Sequence, residues 1–215
     1  MQHSPKLLSE NRKLTLLLNR LRDSLQPTMT KLGSRFAATG LSANFWTLVG
    51  LILSFLAAAL YSSHSVGLDW YAAAVLGGVA LLASGFFDMV DGSVARVTGQ
   101  STRKGAFLDS SFDKIAEVAI FLGIAAGGLA QPSWALLALA LSLLVSYTRA
   151  RAESLGVDLK GIGIGERAER LLIVAFIGMI PHPDALTWAM IIVSVVAGIT
   201  LAQRIAATSR KLSTT

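Results

Sequence analysis

The chain has no cysteine, which excludes a disulfide framework, a thiolate metal site and a thiol nucleophile. It is also poor in charge. Only 15% of its residues are Asp, Glu, Lys or Arg, where a soluble domain carries about 25%. The first forty residues lack the uninterrupted apolar core and small-residue cleavage site of a signal peptide, being interrupted by Lys6, Arg12, Lys13, Arg20, Arg22, Lys31 and Arg35. The first membrane segment is therefore expected to carry the targeting information. What the chain has in abundance is apolar sequence: 53% of its residues are hydrophobic and its mean hydropathy is +0.59. That balance describes a membrane protein.

A helix crossing the hydrocarbon core needs about 20 mostly apolar residues. Six segments qualify or nearly so, at 44–62, 69–90, 106–128, 132–152, 168–182 and 184–205. The fifth is short. Pro132 opens the fourth, and Pro181 and Pro183 separate the fifth from the sixth. The connections 63–68, 129–131 and 181–184 contain no Lys or Arg, so all 19 basic residues fall on the other side. Such one-sidedness follows the positive-inside rule and predicts that both termini are cytoplasmic. The net charge of +6 is thus accounted for by a membrane face, and no nucleic-acid partner is expected. The fold class is all-α, with 41–215 forming a six-helix membrane domain.

Residues 1–40 read as a separate juxtamembrane element. Leu14, Leu17, Leu18, Leu21, Leu25, Met29, Leu32 and Phe36 recur at helical spacing, interrupted near Pro27, while Arg12, Lys13, Arg20, Arg22 and Lys31 take other faces. This is the pattern of an amphipathic helix resting on an anionic membrane surface or on its own protein.

Against this apolar background four acids stand out within 26 residues: Asp88, Asp91, Asp109 and Asp113. Asp88 lies in FFDMV and Asp109 in AFLDSSF, so neither reads as a loop tip. An ionisable group near the centre of a span costs roughly 2.5–3.5 kcal/mol on insertion scales, and packing a helix bundle requires none. Asp88 and Asp91 are three apart, Asp109 and Asp113 four apart, so each pair shares a helix face. A short connection brings the two faces together near the cytoplasmic surface. Oxygen-only ligands suit hard cations such as Mg²⁺ or Mn²⁺, and two such ions about 3.5–4 Å apart clamp phosphate in displacement reactions. Gly92, Ala95, Gly105 and Ala106 leave room around the acids, and Arg96 offers a planar phosphate donor. A cation transporter with acids along its path is the alternative of another class, although no repeated half of the kind transporters use is visible.

Read together, these residues give Asp88-x2-Asp91-Gly92-x2-Ala95-Arg96-x8-Gly105-x3-Asp109-x3-Asp113, which resembles the signature of the CDP-alcohol phosphotransferases without departure. The resemblance extends to the six-span layout and the amphipathic N-terminus. It implies that Asp88, Asp91 and Asp109 hold two divalent metals, with Asp113 completing the site and acting as general base. It also implies that Gly92, Ala95 and Arg96, with Asp88, help bind the CDP moiety of a lipid donor. Asn44 and Thr47 resemble the family's Pro-Asn-x-x-Thr region, with Ala43 standing where the family has proline. A homodimer is implied by the family alone. The small residues of Gly123–Gly128 suit close helix contact between copies or within one chain.

A second basic cluster bears on the acceptor. Ser146-Tyr-Thr-Arg-Ala-Arg-Ala-Glu153 ends the fourth span, and a glycine-rich loop, Lys160–Gly165, leads into Glu166-Arg-Ala-Glu-Arg170. Arginine forks match phosphate oxygens, so an acceptor with its own phosphate is expected, inositol 1-phosphate or glycerol 3-phosphate. The wording resembles the inositol-phosphate branch of the family and, within it, the archaeal members, which implies CDP-archaeol rather than CDP-diacylglycerol as donor. On that resemblance Arg149, Arg167 or Arg170, and Arg204 bind the acceptor phosphate.

Overall fold

The computed structural model describes residues 28–100 and 102–213 of the 215. Among the described residues every regular element is helical. The described part of helix α1 runs over 28–37. Six further helices follow: α2 (Ala43–Ser62), α3 (Trp70–Thr98), α4 (Arg103–Ala126), α5 (Pro132–Ser154), α6 (Arg167–Gly178) and α7 (Ala185–Leu212). Four of these, α2 (with its 3₁₀ extension to Val66), α3, α5 and α7, are long and apolar enough to cross a membrane. Helix α4 carries Arg103, Lys104, Asp109, Asp113, Lys114 and Glu117, which lowers its hydropathy below that of a simple span. Helix α6 has only 12 residues, because the turn before Pro181 and Pro183 ends it earlier than the apolar run suggests.

The helix starts are written locally. Asp69 accepts the N–H groups of Tyr71 and Ala72 at 3.0 Å. Thr102 caps α4 by accepting from Gly105 N–H at 3.0 Å. Glu166 and Glu169 form a reciprocal capping box at α6. At α2 the cap is Ser42, so Ala43 is the first helical residue, a position where proline leaves no N–H to satisfy. Ala43 has that N–H, and it donates to the Gln100 side chain at 3.2 Å.

The main departure from the sequence reading concerns α3. It continues to Thr98 and ends on Gly99, at φ 67, instead of stopping near residue 90. Asp88, Asp91 and Arg96 therefore share one continuous helix, and only residues 99–102 join α3 to α4.

The core is built on small residues. Ala57, Ala73, Ala74, Ala138, Ala175 and Ala189 are buried with Tyr61, Phe121 and Ile124. A Cβ added at Gly123 would collide with the Ala58 carbonyl, and one at Gly127 with the Tyr61 carbonyl. The small-residue stretch 123–128 thus lets α4 press on α2 within one chain. Large apolar side chains such as Ile52 and Phe55 on α2, Leu136 and Leu144 on α5, and Val195 on α7 face outward, as lipid contact requires.

Helix α1 packs on this body. Gly33 lies against Ser93, and Leu32 and Phe36 pack on Ala43, Val90 and Val94. Phe36 meets Trp46 edge-on at 4.8 Å, and Trp46 stacks on Phe87 at 5.6 Å. The described end of the juxtamembrane element thus rests on the protein itself. Its repeat over Leu14–Leu25 lies outside the described residues.

Candidate active site

The tight approach of α2 to α3, where Gly50 faces the backbone of Ser84 and Asp88, sets the floor of the site. Above it, one oxygen from each of Asp88, Asp91 and Asp109 lies within 4.8 Å of the others. Three carboxylates at this separation repel, and of the three only Asp91 is buried, Asp88 and Asp109 being open to solvent. The Asp91 Oδ2 oxygen is buried and has no hydrogen-bond partner, a state that costs free energy unless something else satisfies it. An oxygen-only cluster with an orphaned acceptor fits a divalent cation.

Asp113 stands apart from this trio. Its Oδ1 lies 2.7 Å from Arg167 Nη1, and the same nitrogen lies 3.1 Å from Asp88 Oδ2. The sequence assigns Arg167 or Arg170 to the acceptor phosphate. In the structure Arg167 bridges the fourth acid to the trio while also lining the neighbouring cavity.

The residues expected to bind CDP flank the acids. On α3, Arg96 donates to Ser93 Oγ at 3.0 Å. A Cβ at Gly92 would lie 3.4 Å from Arg96 Nη1, so the glycine leaves the guanidinium its room, while Ala95 packs with Val90 and Val94. Asn44 comes close to Gly105, its Oδ1 lying 4.0 Å from where a Cβ would sit. Thr47 donates to Ala43 O at 3.2 Å and lines a small recess with Asp88, Asp113 and Arg167. Asn44, Thr47, Gly105 and the carboxylates therefore belong to one end of the bundle.

A cavity of about 500 Å³ opens from the acids toward α5, α6 and α7. Its lining combines Asp88, Asp109 and Asp113 with Lys114, Arg149, Arg167, Arg170 and Arg204, together with Glu153 and Glu166. The four arginines differ in freedom. Arg149 is half-exposed and pairs with Glu153 at 2.9 Å. Arg204 is 3% exposed, and donates to Ile162 O at 3.0 Å and Val145 O at 2.9 Å. Arg170 donates to Gly165 O at 2.8 Å and Glu117 Oε1 at 2.9 Å.

Three contributors were not visible in the sequence reading. Glu117 is a single acid inside the apolar part of α4. Thr200 accepts from Gly165 N–H at 3.0 Å and so ties the glycine-rich loop to α7. Gln100 takes the N–H that proline would lack. Each acts through a partner more than 30 positions away, and local spacing gives no signal at that range.

Residues 41–202 match the CDP-alcohol phosphatidyltransferase family. The archaetidylinositol phosphate synthase of Methanothermobacter thermautotrophicus is 38% identical over 191 residues, 87% of this chain and 92% of that one. The enzyme of the same name from Pyrococcus horikoshii is 31% identical, covering 91% and 98%. Among solved structures, the Mycobacterium tuberculosis phosphatidylinositol phosphate synthase with CDP-DAG bound superposes with a TM-score of 0.70 at 30% identity, covering 84% of this chain and 92% of that one. The same protein in complex with manganese and citrate gives 0.69 at 29% identity, covering 84% and 88%. With its signature unbroken and its acids converging at one end of a helical membrane bundle, the chain belongs to the CDP-alcohol phosphatidyltransferase family.

Proposed function

We propose that the protein transfers the phospholipid group of a CDP-activated lipid to inositol 1-phosphate, releasing CMP and forming an inositol phosphate lipid. The observation that carries this reading is the cavity of about 500 Å³ that gathers three of the signature carboxylates and four arginines in one lining. Such a lining suits an acceptor that carries both a hydroxyl and a phosphate. The names of the similar synthases point the same way, to an inositol phosphate lipid as product.

Asp88, Asp91 and Asp109 would hold the divalent cations, two Mg²⁺ or Mn²⁺, whose charge neutralises a pyrophosphate and a leaving CMP. Asp113 takes the proton from the acceptor hydroxyl as its oxygen bonds to the lipid-bearing phosphorus. The bond from that phosphorus to the CMP oxygen breaks, and CMP departs with the electron pair. Asp113 is paired with Arg167 and must exchange that partner for the hydroxyl. The acceptor phosphate is the natural recipient of the Arg167 guanidinium, with Arg149 and the remaining donor capacity of Arg204 beside it. Arg96, Gly92 and Ala95 on α3, with Asn44 and Thr47 on α2, would flank the CDP moiety. Most of the acceleration in such a site comes from positioning and fixed charge.

We further assign six crossings, with α4 and α6 completing the four long apolar helices, and both termini and the site on the cytoplasmic side. The absence of Lys and Arg from the connections 63–68, 129–131 and 181–184 supports this. A second copy of the chain completes the proposed assembly on a face other than 123–128, which is occupied by α2. CDP-archaeol is the proposed donor, on the likeness to the archaeal synthases.

The test is a radiometric transfer assay on purified protein with Mg²⁺ and a CDP-lipid, offering inositol 1-phosphate, free inositol or glycerol 3-phosphate. Transfer to inositol 1-phosphate, lost in Asp113→Asn, is the expected result. Transfer to glycerol 3-phosphate alone would keep the chemistry and move the chain to the glycerol-phosphate branch. Metal transport without lipid turnover would favour the cation-transporter alternative.

A further inference from the structure

Helices α4 and α6 are joined by two rungs of opposite charge. On α4, Asp113 and Glu117 lie one turn apart, and on α6 so do Arg167 and Arg170. The outer rung, Arg167 with Asp113 at 2.7 Å, faces the cavity. The inner rung, Arg170 with Glu117 at 2.9 Å, is sealed, the side chains being 1% and 0% exposed. Glu117 does not line the cavity, so it touches neither substrate.

We propose that Glu117 is a positioning residue for the acceptor site, acting through Arg170. This rests on the phosphate-acceptor reading of the cavity. Each end of the inner rung is tied to a piece of the site. The Arg170 guanidinium also donates to Gly165 O at 2.8 Å, fixing the end of the glycine-rich loop. The second oxygen of Glu117 accepts from Lys114 at 3.0 Å, holding a cavity-lining cation beside Asp113. One buried carboxylate therefore sets the register of Arg167, the loop and Lys114.

Chemistry explains why two rungs are needed. The outer rung must open in every turnover, since Asp113 and Arg167 take new partners. Helix α6 packs on α7 and α3, and its tie to α4 is made by these side chains, so an open outer rung would leave the Arg167 guanidinium without a fixed partner on α4. The inner rung stays closed and keeps Arg167 one helical turn away in place. A buried ion pair is a weak source of net stability, which fits a role in register rather than in folding energy.

The test compares wild type, Glu117→Gln, and the double variant Glu117→Gln/Arg170→Gln, all as full chains in lipid nanodiscs. The double variant removes both buried charges and guards against a single variant that fails to fold for want of a counter-ion. Three quantities are read: binding of inorganic phosphate and of inositol 1-phosphate, Mn²⁺ binding by paramagnetic resonance, and thermal midpoint. The expected result is phosphate and inositol 1-phosphate binding weaker by about tenfold or more in both variants, with Mn²⁺ affinity within about twofold of wild type. KM for the acceptor should rise more than KM for the donor. Recovery of phosphate binding together with the thermal midpoint in the double variant would overturn the proposal, leaving Glu117 a structural counter-charge. Unchanged binding in Glu117→Gln would overturn it as well. Wild type that binds Mn²⁺ but neither phosphate nor inositol 1-phosphate would instead defeat the acceptor reading itself.

Discussion

Arg167 holds the Asp113 carboxylate at 2.7 Å, and the same nitrogen reaches Asp88 at 3.1 Å. One guanidinium is thus shared between the acid proposed as base and an acid proposed as metal ligand. Its half-buried setting, 18% exposed, makes the pairing stronger than a surface ion pair. Arg167 therefore competes with cations for Asp88 until something draws it away.

Replacing Arg167 by alanine should move two affinities in opposite directions. Mn²⁺ binding without acceptor should tighten, by about three- to tenfold, because Asp88 no longer shares its charge. KM for inositol 1-phosphate should rise by about tenfold or more, a loss of roughly 1.4 kcal/mol. Titration by paramagnetic resonance and steady-state kinetics read the two effects separately.

Asp91 is the buried member of the trio, at 5% exposure, with one oxygen unpartnered. Asp91→Asn keeps the shape and removes the charge. Turnover should fall on the order of 10²-fold or more, since each tenfold is about 1.4 kcal/mol of transition-state stabilisation. The folded protein should lose Mn²⁺ binding in the same titration and keep its helical circular dichroism.

The contact between Ala43 N–H and Gln100 predicts a compensating pair. Gln100→Ala leaves the buried donor without its partner and should cost about 1 kcal/mol. Ala43→Pro removes the donor at a position that favours proline. The double variant should regain most of the loss, and a double-mutant cycle on the thermal midpoint measures this coupling.

Because the chain has no cysteine, single introduced cysteines report topology without background. With six crossings, Ser65→Cys should react with an impermeant maleimide added outside intact cells. Lys160→Cys should react only after lysis. Labelling of both residues from one side would contradict the six-crossing arrangement.

The carboxylate strip was legible in the sequence because charge inside apolar sequence is costly and because spacings of three and four fix a helix face. The apolar helices were legible for the complementary reason. Hydropathy alone ends α3 too early, since Asp88 to Arg96 lowers it locally where the helix continues to Thr98. The distinct duties of Arg167, Arg170 and Arg204 were hidden for another reason. Arginine next to a glycine-rich loop reads as a phosphate ligand whatever its partner. Only packing puts Glu117, 53 positions from Arg170, against it.

The most direct test of the account is the ratio of kcat/KM for inositol 1-phosphate to that for free inositol, measured with a CDP-lipid and Mg²⁺ in wild type and Arg149→Ala. A site built to hold a phosphate should reject the acceptor lacking it by a factor on the order of 10⁴. Arg149→Ala should shrink that ratio through the phosphorylated acceptor alone. Equal use of inositol and inositol 1-phosphate by wild type would contradict this, leaving the cavity arginines without the role assigned to them.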